Sequence, residues 1–552
     1  MAKTVCEIVW PISLLNDLQV SHSQAAALYF DNKAIIHIAN NPEFHERTKY
    51  IEIDCYFIRD KIQAGVVKPF HVSSHHQLAD CFTKLLGFPL FSSLVSKLGI
   101  IDIHAPARKR AEYQIADFWR EIHGQNDWVD LLDPIDRRLR SELIRYGEMA
   151  QACYDAFDYN PFSKYCGTSK YTPSEFFDSL GMSQIGYDVS RYLLATSNIN
   201  LPNFFRNSAS PKVWSKHANW MGYIAVSNDE TSRRLGRRDI TIAWRGTVTR
   251  LEWMEDIKDF LVPISSKIPC PDTTAKVQTG FLDLYTEKDE DCKYCRLSAR
   301  EQILSEVKRL LDKYADEEVS ITITGHSLGA ALAFLSAYDI VETSLKDLAA
   351  DRPVVPVCVF TFAGPRVGNV VFRERLESTL GLKVLRVVNV HDVVPKVPGL
   401  FFNERSPPVM MKFAKWLPWS YSHVGVELAL DHWNSPFLKR AVHDDPVRAH
   451  NLEAHLHLLD GYHGKDHKFE LACGRDIALV NKASDFLEDE YLVPPHWRQD
   501  ENKGMVRNKD GHWVQPERRV HDHYCHGTPD DDHVKCLDLA SDDQYGDAAA
   551  AA

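Results

Sequence analysis

The chain has 552 residues, of which 44% are hydrophobic and 25% charged, and a formal net charge of −12. This length suits two or three domains with a large core, and the composition is that of an ordinary soluble globular protein. The acidic balance argues against global steering toward nucleic acid, and no apolar run is long enough to span a bilayer. The start, "MAKTVCEIVW", lacks a basic segment followed by an apolar one, so it does not read as a secretory signal, and it is not a Ser/Arg-rich, acid-poor transit segment either. Twelve scattered cysteines then read as reduced thiols, and the lone close pair, Cys292-Lys-Tyr-Cys295, is weak evidence for zinc.

In chain order, the first stretch differs from the rest. "AAALYFDNKAIIHIA" reads as a strand, then Asp31, then a helix. A basic linker, "HAPARKRAE", follows at 104–112 and marks a boundary near residue 105. From 106 to 498 strands and helices alternate, which predicts an α/β fold around a central sheet. "DITIAW" (239–244) is a strand, and "REQILSEVKRLLDKY" (300–314) is a helix with Ile303, Leu304, Val307, Leu310, Leu311 and Tyr314 on one face. "VVPVCVFTFAG" and "LKVLRVVNV" are further buried strands. Residues 499–552 are polar, rich in Asp and His, and predicted to form a mobile tail.

One stretch carries chemistry. In "VSITITGHSLGAALAFLSAYDI", Val319, Ile321 and Ile323 alternate as in a buried strand, and from Leu328 the pattern is helical. Gly325-His326-Ser327-Leu328-Gly329 sits at the junction and fits G-x-S-x-G, in which the serine occupies a strained strand-to-helix turn. Such a turn suits a nucleophile. A serine needs a base to take its proton and a carboxylate to orient that base. Downstream, "LKVLRVVNV" ends in His391-Asp392-Val393-Val394-Pro395, which puts Asp392 at a strand's C-terminal end, where open α/β sheets build their sites. Among 25 histidines two contexts compete for the base. His423 lies in a strand-like run, where a packed core histidine is usual. His450, His455 and His457 lie in "VRAHNLEAHLHLLDGY", with His450 near a helix start.

The ordered set "AWRGT", "TGHSLGA", "TFAGPRVGN", "NVHDVVPKVP", "YSHVGVEL" and "HNLEAHLHLLDGY" resembles the class III, or fungal-type, lipases over about residues 192–461. "TPSEFFDSLGMSQIGYDVSRYLLATSNINLP" and "NKGMVRNKDGHWVQPERR" make it most similar to the plant phospholipase A1 branch of the plastid class I gamma type. The resemblance implies an α/β-hydrolase core and a Ser327–Asp392–His450 triad, because His450 corresponds to the histidine opening the terminal helix. It further implies an oxyanion hole formed by the Leu328 N–H and Thr247, and a lid carrying Leu251, Trp253 and Met254. The implied activity is hydrolysis of the sn-1 acyl ester of membrane glycerolipids such as phosphatidylcholine or galactolipids at a lipid–water interface, with no metal or cofactor. Triacylglycerol hydrolysis is the alternative. A second apolar patch, with Leu400, Phe401, Phe402, Met410, Met411, Phe413, Trp416 and Trp419 beside Lys412 and Lys415, suits a bilayer interface or the roof of an acyl groove. The fungal pattern has a histidine where this chain has Gln278. The branch implies a chloroplast location, while the N-terminus as read above implies a cytoplasmic one.

Residues 1–105 resemble the C-terminal part of the ribonuclease H domain of a copia-type retrotransposon, through "AAALYFDNKAIIHIANNPEFHERTKYIEIDCYFIRDKIQAG" and "HHQLADCFTKLLG". That nuclease holds two Mg²⁺ ions with four carboxylates. Asp31 and either Glu52 or Asp54 match two of them, and the other two are missing. The segment is therefore expected to be an inactive remnant, with ribonuclease H activity a remote alternative and no nucleic-acid partner. The His- and Cys-containing "HDHYCHGTPDDDHVKC" (521–536) reads as a solvated tail rather than a metal site.

Overall fold

The computed structural model describes residues 5, 8–9, 12, 25–30, 57–72, 115–160, 162–196, 218–247, 260–292, 294–345, 355–399, 420–440, 446–498, 506–509, 512–514 and 516. The chain divides into two compact units, 1–106 and 107–552. In the first, β1 (Ala26–Phe30) and β2 (Val67–His71) pair in parallel. A helix over 57–63 lies between them in sequence, and Val5, Leu28, Ile58 and Val67 form a small core. Asp31, Glu52 and Asp54 lie outside the described residues.

The second unit is built on a seven-stranded sheet. Its strands are β3 (Tyr187–Thr196), β4 (Ala218–Ser227), β5 (Arg238–Trp244), β8 (Val319–His326), β9 (Val357–Phe362), β10 (Lys383–Asn389) and β11 (Val426–Leu430). The order across the sheet is β11-β10-β9-β8-β5-β4-β3, with the five strands from β5 to β11 parallel and β4 antiparallel to both its neighbours, β5 and β3. A short antiparallel pair, β6 (Leu261–Pro263) and β7 (Lys276–Gln278), stands apart from it. Helices cover both faces, as a parallel sheet requires. On one face pack α4 (Thr279–Thr286), α5 (Ala299–Lys313) and α6 (Leu328–Asp339), against Ile240, Ile242, Ile321, Ile323 and Val359. On the other pack α1 (Ile115–Ile122), α2 (Arg137–Asp155) and α7 (Leu452–Gly461), against Ala243, Phe360, Phe362, Leu385 and Val387. A further helix, α3 (Asp229–Leu235), bridges β4 and β5 in sequence.

Local sequence explains the element ends. A capping box of Ser298 and Glu301 starts α5, and Ile303, Val307, Leu310 and Leu311 bury its apolar stripe. Gly147 lets α7 approach α2, since a Cβ there would sit 2.3 Å from Leu456 Cδ2. The tail also contains order: Val506–Arg507 and Trp513–Val514 form a small antiparallel pair, where the composition predicts a mobile segment.

The alternation in β8 has a different meaning from the usual one. Val319, Ile321 and Ile323 face α6, but Ser320, Thr322 and Thr324 do not face water; all three are fully buried. They meet Asp239 and α2 instead. Asp239 Oδ1 accepts from Ser320 Oγ (2.9 Å) and Thr322 Oγ1 (2.7 Å), and its Oδ2 from Tyr146 (2.9 Å), Tyr187 (2.7 Å) and Thr241 (2.8 Å). Five hydroxyl donors thus satisfy one buried carboxylate. Burial opposes its charge, but Arg237, Arg145 and His123 add to these bonds and hold it well below the usual carboxylate range. Arg237 Nη2 donates to His123 Nε2 at 2.8 Å, so that nitrogen is bare and the ring neutral; burial and then Arg237 lower His123 to about 4. Glu142 is also buried, yet Arg145 (Nε to Oε1, 3.0 Å), His123 and Arg237 outweigh desolvation and carry it down to about 2.

Both shifts are downward, so acid destabilises the fold through each. His123 contributes stability above its ordinary 6.5 that is lost as pH falls toward about 4. Glu142 contributes stability above its ordinary 4.5 that is lost as pH falls toward about 2. Glu142→Gln is expected to lower the unfolding free energy at pH 7 by about 3–5 kcal/mol, the cost of leaving buried arginine charge uncompensated. The variant should also lose the lower acid step. Denaturant titrations at stepped pH on parent and variant check this; equal midpoints at pH 7 would show that the carboxylate contributes nothing net.

Candidate active site

The elbow forms where β8 meets α6. Ser327 sits between them with φ 58° and ψ −125°, a conformation that costs a non-glycine residue of order 1–3 kcal/mol. The surrounding packing imposes it. A Cβ on Gly325 would lie 2.3 Å from the Gly329 carbonyl oxygen, and one on Gly329 would lie 2.5 Å from that of Trp244. Strand, turn and helix therefore touch backbone to backbone, which only glycine permits. The Ser327 N–H donates to the Phe362 carbonyl (3.0 Å), tying the elbow to the end of β9. Leu328 is the first residue of α6, so its N–H has no acceptor within the helix.

The other two residues arrive from neighbouring strand ends. Asp392 lies three residues past β10, fully buried, with Oδ1 accepting from the Val394 N–H (2.9 Å). His450 lies just before Asn451, whose side chain caps α7. His450 Nδ1 is 2.7 Å from Asp392 Oδ2, and His450 Nε2 is 2.8 Å from Ser327 Oγ. The structure thus brings together three residues spread over 124 positions of sequence. This arrangement can draw a proton from the serine hydroxyl, hold it on the imidazole beside a carboxylate, and return it. Thr247 follows β5 in the Arg245-Gly246-Thr247 turn and is half-buried. That turn lies against the elbow: a Cβ on Gly246 would be 2.6 Å from the His326 carbonyl oxygen and 3.1 Å from Ser327 Cβ.

The competing histidines have other tasks. His423 stands ahead of β11 rather than within a strand, because Gly425 (φ 80°) breaks the extended run; its Nε2–H donates to the Pro395 carbonyl at 2.7 Å. His455 donates through Nδ1 to the Asn451 carbonyl (2.9 Å), and His457 bonds Ser435 Oγ (2.9 Å). Gln278 caps α4, its Oε1 accepting from the Phe281 N–H at 2.8 Å. Leu251, Trp253 and Met254, and the apolar patch from Leu400 to Trp419, lie outside the described residues.

Two residues beside the triad carry no sequence signal for a role there. His326 is buried within the G-x-S-x-G motif, with Nε2 2.8 Å from the His450 carbonyl oxygen and its ring 4.6 Å from that of His450. Its Nδ1 is 2.7 Å from the hydroxyl of Tyr154, on α2. Burial, then His450 and His455, hold His326 well below the ordinary histidine range. Metal-binding potential is slight. Among the described residues, His391, Asp431 and His432 place one ligand atom each within 4.8 Å of one another. Asp431 Oδ1 already accepts from His391 Nε2 (3.0 Å) and the Trp433 N–H (2.8 Å), so the group reads as a capped turn with a His–Asp pair.

If the elbow stores strain, Ser327→Gly relieves it and Ser327→Ala does not. The glycine variant is expected to be the more stable of the two by about 1 kcal/mol, after the extra chain entropy of glycine is deducted. Equilibrium denaturation of both checks this; an alanine variant at least as stable would show an unstrained turn.

Residues 241–402 match the family model described as lipase (class 3). The chain is 66% identical over 419 residues to phospholipase A1-Igamma2, chloroplastic, of Arabidopsis thaliana, covering 75% of this chain and 78% of that one. It is 44% identical over 409 residues to phospholipase A1-II 6 of Oryza sativa subsp. japonica, covering 72% of this chain and 95% of the relative. Among solved structures it is similar to the nonglycosylated LIP2 lipase of Yarrowia lipolytica, at 20% identity over 54% of this chain and 82% of that one, with a TM-score of 0.35. At that degree of identity and coverage to the plant enzymes, the chain belongs to the phospholipase A1 family of class 3 lipases and is a carboxylic ester hydrolase.

Proposed function

We propose that the protein is a serine acylhydrolase that cleaves the sn-1 acyl ester of membrane glycerolipids, with Ser327, His450 and Asp392 as its triad. The observation that carries this is the continuous hydrogen-bonded line from Asp392 through His450 to Ser327 on a strained elbow. Ser327 Oγ attacks the acyl carbonyl carbon while His450 Nε2 takes its proton and Asp392 stabilises the imidazolium. The oxyanion is held by the Leu328 N–H and by Thr247. Collapse breaks the ester bond, and His450 returns the proton to the departing glyceryl oxygen. Water then attacks the acyl-serine by the same route, releasing the fatty acid. Every step is a proton transfer or acyl transfer that these side chains can carry without a cofactor.

The names of the relatives support a phospholipid substrate, and "chloroplastic" in three of them supports action on plastid membranes. Those names lend no support to the cytoplasmic alternative. We assign the lid to Leu251, Trp253 and Met254, and the acylhydrolase domain to 106–498 with a polar tail at 499–552. Residues 1–105 are read as an inactive ribonuclease H-like remnant, on the sequence resemblance and the two missing carboxylates.

The test uses the full chain on liposomes of phosphatidylcholine and of monogalactosyldiacylglycerol with distinguishable sn-1 and sn-2 acyl groups. The parent should release sn-1 acid, and Ser327→Ala should lose about 10⁴-fold or more of that rate. Thr247→Val should lose about 10²–10³-fold. Release of sn-2 acid would overturn the regiochemistry, and undiminished release by folded Ser327→Ala would overturn the nucleophile.

A further inference from the structure

We infer that Tyr154 and His326 form a one-way hydrogen-bond relay ending on the backbone carbonyl of His450, which positions the base and, through the packing of the Tyr154 hydroxyl against Gly246, the oxyanion turn together. The inference rests on the acylhydrolase reading above for its mechanism but not for its geometry.

The direction of the relay follows from valence. The His450 carbonyl can only accept, so His326 Nε2, 2.8 Å away, carries the hydrogen. A neutral imidazole has one N–H, so His326 Nδ1 is a bare acceptor. Tyr154, 2.7 Å from Nδ1, must therefore point its hydroxyl hydrogen at it. The phenolic oxygen itself lies against Gly246 of the R-G-T turn, where a Cβ would sit 2.2 Å from it. Two hydrogens point the same way, from α2 to the base. Reversing either would set two lone pairs or two hydrogens face to face in a buried space.

The relay joins the parts that must be registered for acyl transfer. One end, the Tyr154 hydroxyl, packs against Gly246, the residue before Thr247. The middle, His326, is the residue before Ser327. The other end is the main chain of His450. A shift of the His450 main chain moves Nε2 relative to Ser327 Oγ, and a displacement of about 1 Å costs about 10²-fold in rate. The neutral state of His326 matters as well. Its ring stands 4.6 Å from that of His450, which becomes an imidazolium during attack, and 6.2 Å from that of His455. The residues facing His326 are Tyr154 from α2, His450 from the segment before α7, and His455 from α7 itself. A charged His326 would oppose the charge His450 must take up. Tyr154 and His326 are thus positioning residues and touch no reacting atom.

The experiment is the rate of Ser327 labelling by a fluorophosphonate, alongside kcat and KM per labelled site, for the full-length parent and three variants. Tyr154→Phe removes the donor to Nδ1 and frees the wrong tautomer. His326→Leu removes the relay, and His326→Gln keeps an N–H within reach of the carbonyl. Expected are about a 10-fold fall in labelling rate and kcat for Tyr154→Phe and about 10²-fold for His326→Leu, with KM unchanged and most of the loss recovered in His326→Gln. Rates per labelled site at the parent's value in all variants, whatever their yield of folded protein, would overturn the relay. So would His326→Gln as slow as His326→Leu. If the parent labels but hydrolyses no lipid, the substrate reading fails while the labelling rates still decide the relay.

Discussion

The site depends on how closely the backbone of β8 can approach the backbone of α6 and the end of β5. Glycines at 325 and 329 make those approaches, at separations that a single Cβ would close to 2.3–2.5 Å. The resulting turn lifts Ser327 off the sheet with a positive φ that nothing in its own side chain favours. Everything else is arranged around that point. Phe362 of β9 receives the Ser327 N–H, β10 ends just short of Asp392, and the chain returns after β11 to bring His450 over the elbow. All these ends are C-terminal ends of parallel strands, so sheet topology alone gathers residues that are far apart in sequence.

Helix α2 ties the durability of the fold to the geometry of the site. Tyr146 donates to Asp239 within the buried hydroxyl cage, and eight residues later Tyr154 donates to His326. The same helix carries Glu142 and Arg145, the ion pair at the edge of that cage. A carboxylate satisfied by five hydroxyls keeps its charge without a direct guanidinium partner. The cage therefore holds helix and strands in one register by directional bonds rather than by apolar contact alone.

Much of this was legible in the sequence, for reasons that differ by residue. The α/β alternation showed because the strands' apolar runs are short and α5 carries a clean apolar stripe. Ser327 showed because the glycines the turn needs lie within five residues. Asp392 showed through its place at a strand's end, whereas His450 could not be separated from His423, His455 and His457 by local pattern and needed the family resemblance. His423 was misplaced into a strand because Gly425 breaks the run in a way residue type alone does not announce. The strand β8 read as buried from its apolar residues, but nothing local says that its polar ones meet Asp239, about eighty positions earlier. Tyr154 and His326 are 172 positions apart, and only the folded chain makes them neighbours.

The path of the chain through the site has a consequence for its synthesis. The elbow, the proposed oxyanion turn and the proposed orienting acid are all encoded before residue 393, yet the proposed base, His450, comes from the segment leading into α7, whose ten residues are all buried. A chain emerging N-terminus first can close β5, β8, β9 and β10 into a sheet and still have no base beside Ser327. The proposed triad is completed only when the late-synthesised segment leading into α7, which packs on α2 across Gly147, is in place. On the proposed assignment, a nascent or C-terminally truncated copy thus carries a serine with no base beside it, and lipids around it are safe from a half-made enzyme.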